Sequence, residues 1–102
     1  KMELNNVRQE LIQIEDQLLE LLERRVNLGV KVAEAKYPKI KDLIQDNNIL
    51  ELIEDKNVEQ KVLQRIGDKC HDPRLRLNMV RLYEEYLIPK NKEIQVDYIK
   101  KI

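Results

Sequence analysis

Arg25 is the residue with the most chemical consequence in this chain. From Leu4 to Ala35, apolar residues recur at steps of three and four: Leu4, Val7, Leu11, Ile14, Leu18, Leu21, Leu28, Val32 and Ala35. Such spacing predicts one face of a long helix. The step between Leu21 and Leu28 falls on Arg25. A guanidinium inside a buried seam is costly unless an anion meets it, so either an internal carboxylate or an anionic ligand is expected there. Gly29 and Lys36 follow on the same side of the helix. Gly29 weakens a helix by about 1 kcal/mol relative to Ala, and here is expected to leave space beside Arg25. Two further faces are interrupted in the same way. Asp42, Gln45 and Asp46 share a side with Ile49, and Asn91 and Gln95 sit at i and i+4 between Leu87 and Tyr98. Any one of these alone reads as a surface group. Three helices that each break their own apolar stripe read as a polar site built between them.

The elements that must position these groups are helical. Of 102 residues, 37% are charged and 42% apolar, with two Gly and three Pro. That profile belongs to an all-α chain, long enough for one domain with a modest core. Nineteen basic residues balance nineteen acidic ones. No global field draws in nucleic acid or an anionic membrane, so neither is expected as a partner. A single cysteine, Cys70, excludes an internal disulfide framework. No apolar run approaches the ~20 residues of a membrane span, and the start does not read as a secretory signal. The expectation is a soluble cytoplasmic protein.

Three helical blocks are predicted. The first covers roughly residues 4–36 and stops at Pro38, because the residue before a proline is pushed out of helical geometry. At about 50 Å it is longer than a compact domain of this size is wide, so its stripe needs a second copy to cover it. The second block starts at Asp42 as N-cap, carries Leu43, Ile49, Leu50 and Ile53, and breaks at Asp55-Lys56-Asn57. Asn57 with Gln60 resembles a capping box, opening Val58–Lys69. The third begins at Asp72-Pro73, an N-cap followed by proline at the first helical position. It runs toward Ile102, with Val80, Tyr83, Leu87, Ile94 and Tyr98 on one face. Pro89 is expected to kink or restart it, since its ring clashes with the carbonyl of Glu85.

Other candidate motifs are weak. Cys70-His71 lacks the further ligands of a zinc site, so no metal is expected. Tyr83, Tyr86 and Tyr98 are spaced as core or rim residues. The basic cluster Lys90, Lys92, Lys100 and Lys101 is interleaved with acids and reads as a solvated face.

With these residues in view, the chain resembles the all-helical class of chorismate mutases. The first block carries the pattern Val7-Arg8, Leu11, Ile14-Glu15, Leu18-Leu19, Leu21-Leu22, Arg24-Arg25, Leu28, Val32, Ala35-Lys36. Ile40-Lys41-Asp42 resembles the family's short motif after the first loop. Leu87-Ile88 with Asn91-Lys92-Glu93-Ile94-Gln95 resembles its C-terminal motif. The likeness covers most of the chain, as a single domain over residues 1–102, and is weakest between Asp55 and Tyr83.

The resemblance implies a three-helix protomer in an intertwined helical homodimer that converts chorismate to prephenate without a cofactor. Arg25, with Arg8 from the neighbouring subunit, resembles the carboxylate clamps. Arg8 and Arg25 stand ~25 Å apart along one helix, so both cannot grip one small dianion in the same subunit. Lys36 and Gln95 resemble the pair that donates to the ether oxygen. Asp46 falls where the family has a Glu that accepts from the ring hydroxyl, and Asp42 where an acid opens the second helix. Asn91 takes the place of a small polar residue near a carboxylate, and Gln45 stands where many relatives have Arg. The region between Leu50 and Tyr83 is longer than in the simplest relatives. Two other functions are compatible with such a chain: an isochorismate–pyruvate lyase on the same scaffold, and a non-catalytic helical dimer that binds a partner.

Overall fold

The computed structural model describes residues 3–45 and 47–102, and every regular element among them is helical. Helix α1 spans Leu4–Ile40, a 37-residue element about 55 Å long. It does not stop at Pro38, as the sequence suggests. Pro38 removes only the bond that its missing N–H would make to Glu34, and the helix ends two residues later. Lys41 N–H closes the last turn on the carbonyl of Tyr37. So near a C-terminus, one lost bond leaves little helix to disrupt.

The helix expected from Asp42 does not form. Lys41–Leu43 is a single 3-10 turn, and a loop follows. Its polar residues compete with helix for the backbone. Asn48 Oδ1 accepts from Gln45 N at 2.8 Å, its Nδ2 donates to Leu43 O at 2.9 Å, and Asn47 takes a left-handed φ of 62°. Helix α2, Ile49–Ile53, is one short turn set. Helix α3, Lys56–Lys69, opens two residues earlier than the Asn57 capping box implies. Asp55 is the cap, and one of its oxygens accepts from Asn57 N and Val58 N at 3.1 Å each. Helix α4, Pro73–Leu82, begins as expected on Asp72, whose side chain accepts from Arg74 N at 2.9 Å.

Pro89 does not restart the helix. A π-turn at Tyr83–Leu87 precedes helix α5, Ile88–Lys100, and Ile88 N–H reaches back five residues to Tyr83 O. Widening the helix by one residue gives the proline ring room that an α-turn would deny it.

The core gathers at one end. Ala33 and Ile40 of α1 meet Ile49 and Ile53 of α2 and Ile99 of α5, with Tyr37, Ile44, Leu52, Val96 and Tyr98 around them. The buried face of α5 runs through Ile88, Asn91, Gln95 and Ile99. Its two polar members therefore lie in line with the core, not beside it. The other half of α1 leaves the body. Leu11, Ile14, Leu18 and Leu21 remain 50–57% exposed. The molecule measures 64 × 27 × 18 Å with a radius of gyration of 17.7 Å, against about 13 Å for a compact chain of this length.

Candidate active site

Where α1, α3 and α5 converge on the α2–α3 corner, they enclose a cavity of about 300 Å³. Arg25, Lys36, Asn91 and Gln95 all line it, together with Ile53, Glu54, Asp55, Glu59 and Lys92. The apolar part of the wall is Val32, Val58, Val62 and Ile88. Residues 25 and 36, ~16 Å apart along α1, thus reach the same space from two turns of one helix.

Arg25 is half-buried. Its guanidinium stacks 5.7 Å from the centre of the Tyr83 ring, and no carboxylate pairs with it among the described residues. Of the two partners foreseen for it, the internal anion is not found among the described residues. Gly29 does not open space beside Arg25 as expected. It lets α5 approach: a Cβ on Gly29 would meet Asn91 Oδ1 at 2.8 Å and the Asn91 carbonyl at 3.2 Å. Asn91 uses that proximity to donate from Nδ2 to the Arg25 carbonyl at 3.2 Å. It braces the backbone that carries the arginine.

Lys36 Nζ donates to Ile53 O at 2.7 Å and to Gln95 Oε1 at 3.3 Å. An ammonium only donates, so it must face the oxygen of the Gln95 amide and leave the nitrogen to point elsewhere. Gln95 is 6% exposed, and its amide N–H groups have no protein acceptor among the described residues. Burial lowers the Lys36 pKa below the ordinary lysine value, while the charges of Asp55 and Glu59 pull it back up.

The opposite wall is acidic and held by a second lysine. Lys92 Nζ donates to Glu54 Oε2 at 2.8 Å and to Glu59 Oε1 at 3.1 Å. Burial alone would lower the Lys92 pKa, but hydrogen bonds to Glu54 and Glu59 raise it overall. The hydrogen bond from Lys92 keeps the Glu54 carboxyl below its usual range. Lys92 therefore belongs to the cavity wall and not to a solvated basic face.

Three residues with sequence-derived roles stand elsewhere. Asp42 and Gln45 are exposed in the 3-10 turn and loop, outside the cavity lining. Asp46 lies outside the described residues. Arg8 is exposed on the projecting half of α1. Asp55 and Glu59 line the cavity, with the same i, i+4 sequence spacing that Asp42 and Asp46 have. Local signals exist for Asp55 and for Lys92. Asp55 directly precedes a Val58, Val62, Ile66 stripe, as an N-cap should, and Lys92 stands three residues before Gln95, on its face of the helix.

Residues 7–96 match the chorismate mutase type II family. The chain belongs to that family. It is similar to the chorismate mutase of Pichia angusta, 33% identical over 103 residues that cover 79% of this chain and 37% of the relative. It is similar to the Saccharomyces cerevisiae chorismate mutase, 33% identical over 100 residues, 79% of this chain and 39% of the relative. The Schizosaccharomyces pombe chorismate mutase is 35% identical over 101 residues, 79% and 40% respectively. The chain spans about two fifths of the length of these curated relatives. No solved structure matches the chain significantly. The family is all-α, as are the described elements here, and no described helix is long and apolar enough to cross a membrane.

Proposed function

We propose that this chain is a chorismate mutase, an isomerase that rearranges chorismate to prephenate in aromatic amino-acid biosynthesis. The observation that carries the reading is the convergence of Arg25, Lys36 and Gln95 on one cavity in a chain of the type II family. The reaction is unimolecular. The ether C–O bond breaks as a C–C bond forms, and negative charge grows on the departing oxygen. Such chemistry calls for a compact bound conformer and fixed donors at that oxygen, not for a nucleophile, base, cofactor or metal.

In this reading Gln95 offers its amide N–H and Lys36 its ammonium to the ether oxygen. Arg25 forks onto one substrate carboxylate. A second guanidinium comes from Arg8 of a second copy, because ~25 Å of helix keeps the same chain's Arg8 out of reach. Glu59 accepts from the ring hydroxyl, and Asp55 is the acid that opens its helix. They take the roles that the family resemblance implies for Asp46 and Asp42. Val58, three residues after Asp55, then stands where Gln45 was expected, so the site still lacks that cation. We place the extra length of the chain in the loop and α2, ahead of the site helix. The whole of residues 1–102 acts as one catalytic domain, in the cytoplasm, as a homodimer.

The test is ultraviolet absorbance of chorismate in dilute protein, with isochorismate in parallel. Loss of chorismate with formation of prephenate is expected, and isochorismate should persist. Turnover of isochorismate alone would make the site a lyase and overturn the proposal.

A further inference from the structure

Lys92 divides the charges of the cavity. Its ammonium has three N–H groups, and three carboxylate oxygens meet it: Glu54 Oε2 at 2.8 Å and Glu59 Oε1 and Oε2 at 3.1 and 3.3 Å. The three side chains are only 22–24% exposed, which separates this cluster from the solvated surface pairs that contribute little. Among the described residues Lys36 bonds only neutral acceptors, the Ile53 carbonyl and the Gln95 amide oxygen. Yet Glu59 is near enough for its charge to act on Lys36. Two lysines thus compete for one carboxylate, and only Lys92 bonds it.

We infer that Lys92 is a positioning residue: it holds the Glu59 carboxylate against α5 and away from the Lys36 ammonium, leaving both free for the ligand. A direct Lys36–Glu59 pair would turn the Lys36 N–H groups away and compensate its charge at the point where oxyanion charge develops. Without Lys92, Glu59 would lose the cation that bonds it, while Glu54 would keep the exposed Lys56, 3.8 Å away. Pairing with Lys36 is the nearest relief for a partly buried carboxylate. The kinetic consequence rests on the mutase reading. The placement of charge does not.

The ionisable groups that face Lys36 across the cavity are Arg25 on its own helix, Glu54, Asp55 and Glu59 from the α2–α3 corner, and Lys92 from α5. Lysine ε-carbon NMR on the intact, ligand-free protein follows Lys36 directly. Lys92→Met should raise its pKa, and adding Glu59→Gln should remove most of that rise. In the absorbance assay Lys92→Met should lower kcat about tenfold with a smaller change in KM, below the full loss of one oxyanion donor. In a Glu59→Gln background the same substitution should change kcat by less than about twofold, since the residue it acts through is gone. Lys92→Arg should retain most of the rate. If Lys92→Met does not fold, Lys92→Gln serves the same comparison. An unmoved Lys36 titration, or an equal kinetic loss in both backgrounds, would overturn the inference. A wild-type chain whose Lys36 behaves as described but which leaves chorismate intact would overturn the mutase reading and uphold the placement of Glu59.

Discussion

At the scale of single residues, the site is a set of donors that the protein itself does not fully use. Arg25 stacks on Tyr83 without a carboxylate among the described residues. The contact is worth about 0.5–1 kcal/mol, less than a half-buried charge gives up in solvation. Arg25→Met should therefore leave the melting temperature unchanged or raise it, while kcat/KM falls by about two orders of magnitude or more. A sharp fall in melting temperature would mean that Arg25 mainly holds the fold. The pH profile follows from Lys36, whose ammonium burial disfavours. If that ammonium donates to the ether oxygen as proposed, activity should stay flat from mildly acidic to mildly basic pH. It should then be lost as pH rises through a value below the ordinary lysine 10.5. The same shift makes the charge oppose folding at low pH, an opposition that fades as pH climbs through the folded-state value. Gln95→Glu reverses the donor. Its carboxylate, next to Lys36, would repel the forming oxyanion and regain a donor only when protonated, in the range of the ordinary Glu value of about 4.3. Burial moves that value up and Lys36 moves it down. The variant should be poor at pH 7.5 and recover on acidification. Wild-type rates at neutral pH would remove Gln95 from the reacting oxygen.

At the scale of elements, the two glycines make a matched pair. Gly29 faces the backbone of α5, where an added Cβ would sit 3.2 Å from the Asn91 carbonyl and 2.8 Å from its side-chain oxygen. The carbonyl cannot swing away, so Gly29→Ala should cost a net ~1–2 kcal/mol despite the better helix propensity. It should also push Asn91 off the Arg25 carbonyl. Gly67 in α3 would place its Cβ 3.7 Å from Val80 Cγ2, an ordinary contact. Gly67→Ala should stabilise by ~0.5–1 kcal/mol. Thermal melts of the two variants should move in opposite directions. If Gly29→Ala is neutral, α1 and α5 are not held as closely as the cavity requires. The π-turn at Tyr83–Leu87 matters at this scale too. It admits Pro89 without a break, so α4 and α5 run on, bringing Tyr83 to Arg25 and Asn91, Lys92 and Gln95 to the cavity.

At the scale of the whole molecule, the shape is not that of a finished globule. The long axis is 64 Å, and half of α1 carries leucines and isoleucines that remain half-exposed. Burying one such side chain is worth about 1.5–3 kcal/mol, so a covering partner has several kcal/mol to gain. Sedimentation at micromolar concentration should give twice 12.3 kDa. A compact, active monomer would end the shared-site argument. Complementation tests it further. Arg8→Ala and Arg25→Ala homodimers should each be nearly inactive. Mixed dimers should recover one intact site, because both lesions then fall in the same pocket.

The fold class, the long first helix and the Asp72-Pro73 start of α4 are all legible in the amino-acid order. Each depends on local rules of periodicity and capping that a single stretch of chain obeys alone. Arg25, Lys36, Asn91 and Gln95 were legible for the same reason: each interrupts an apolar stripe, and a stripe has to face the interior. The tertiary structure decided which acids join them. Asp42 and Asn57 read as the N-caps in sequence, but the cap that opens the cavity helix is Asp55. The backbone competition around Asn47 and Asn48 melts that stretch into a loop, and the helix that reaches the cavity starts at Asp55 instead. Lys92 was equally hidden, since its role depends on Glu54 and Glu59, 38 and 33 residues away in the chain. An ammonium reads as surface until the fold brings two carboxylates beneath it.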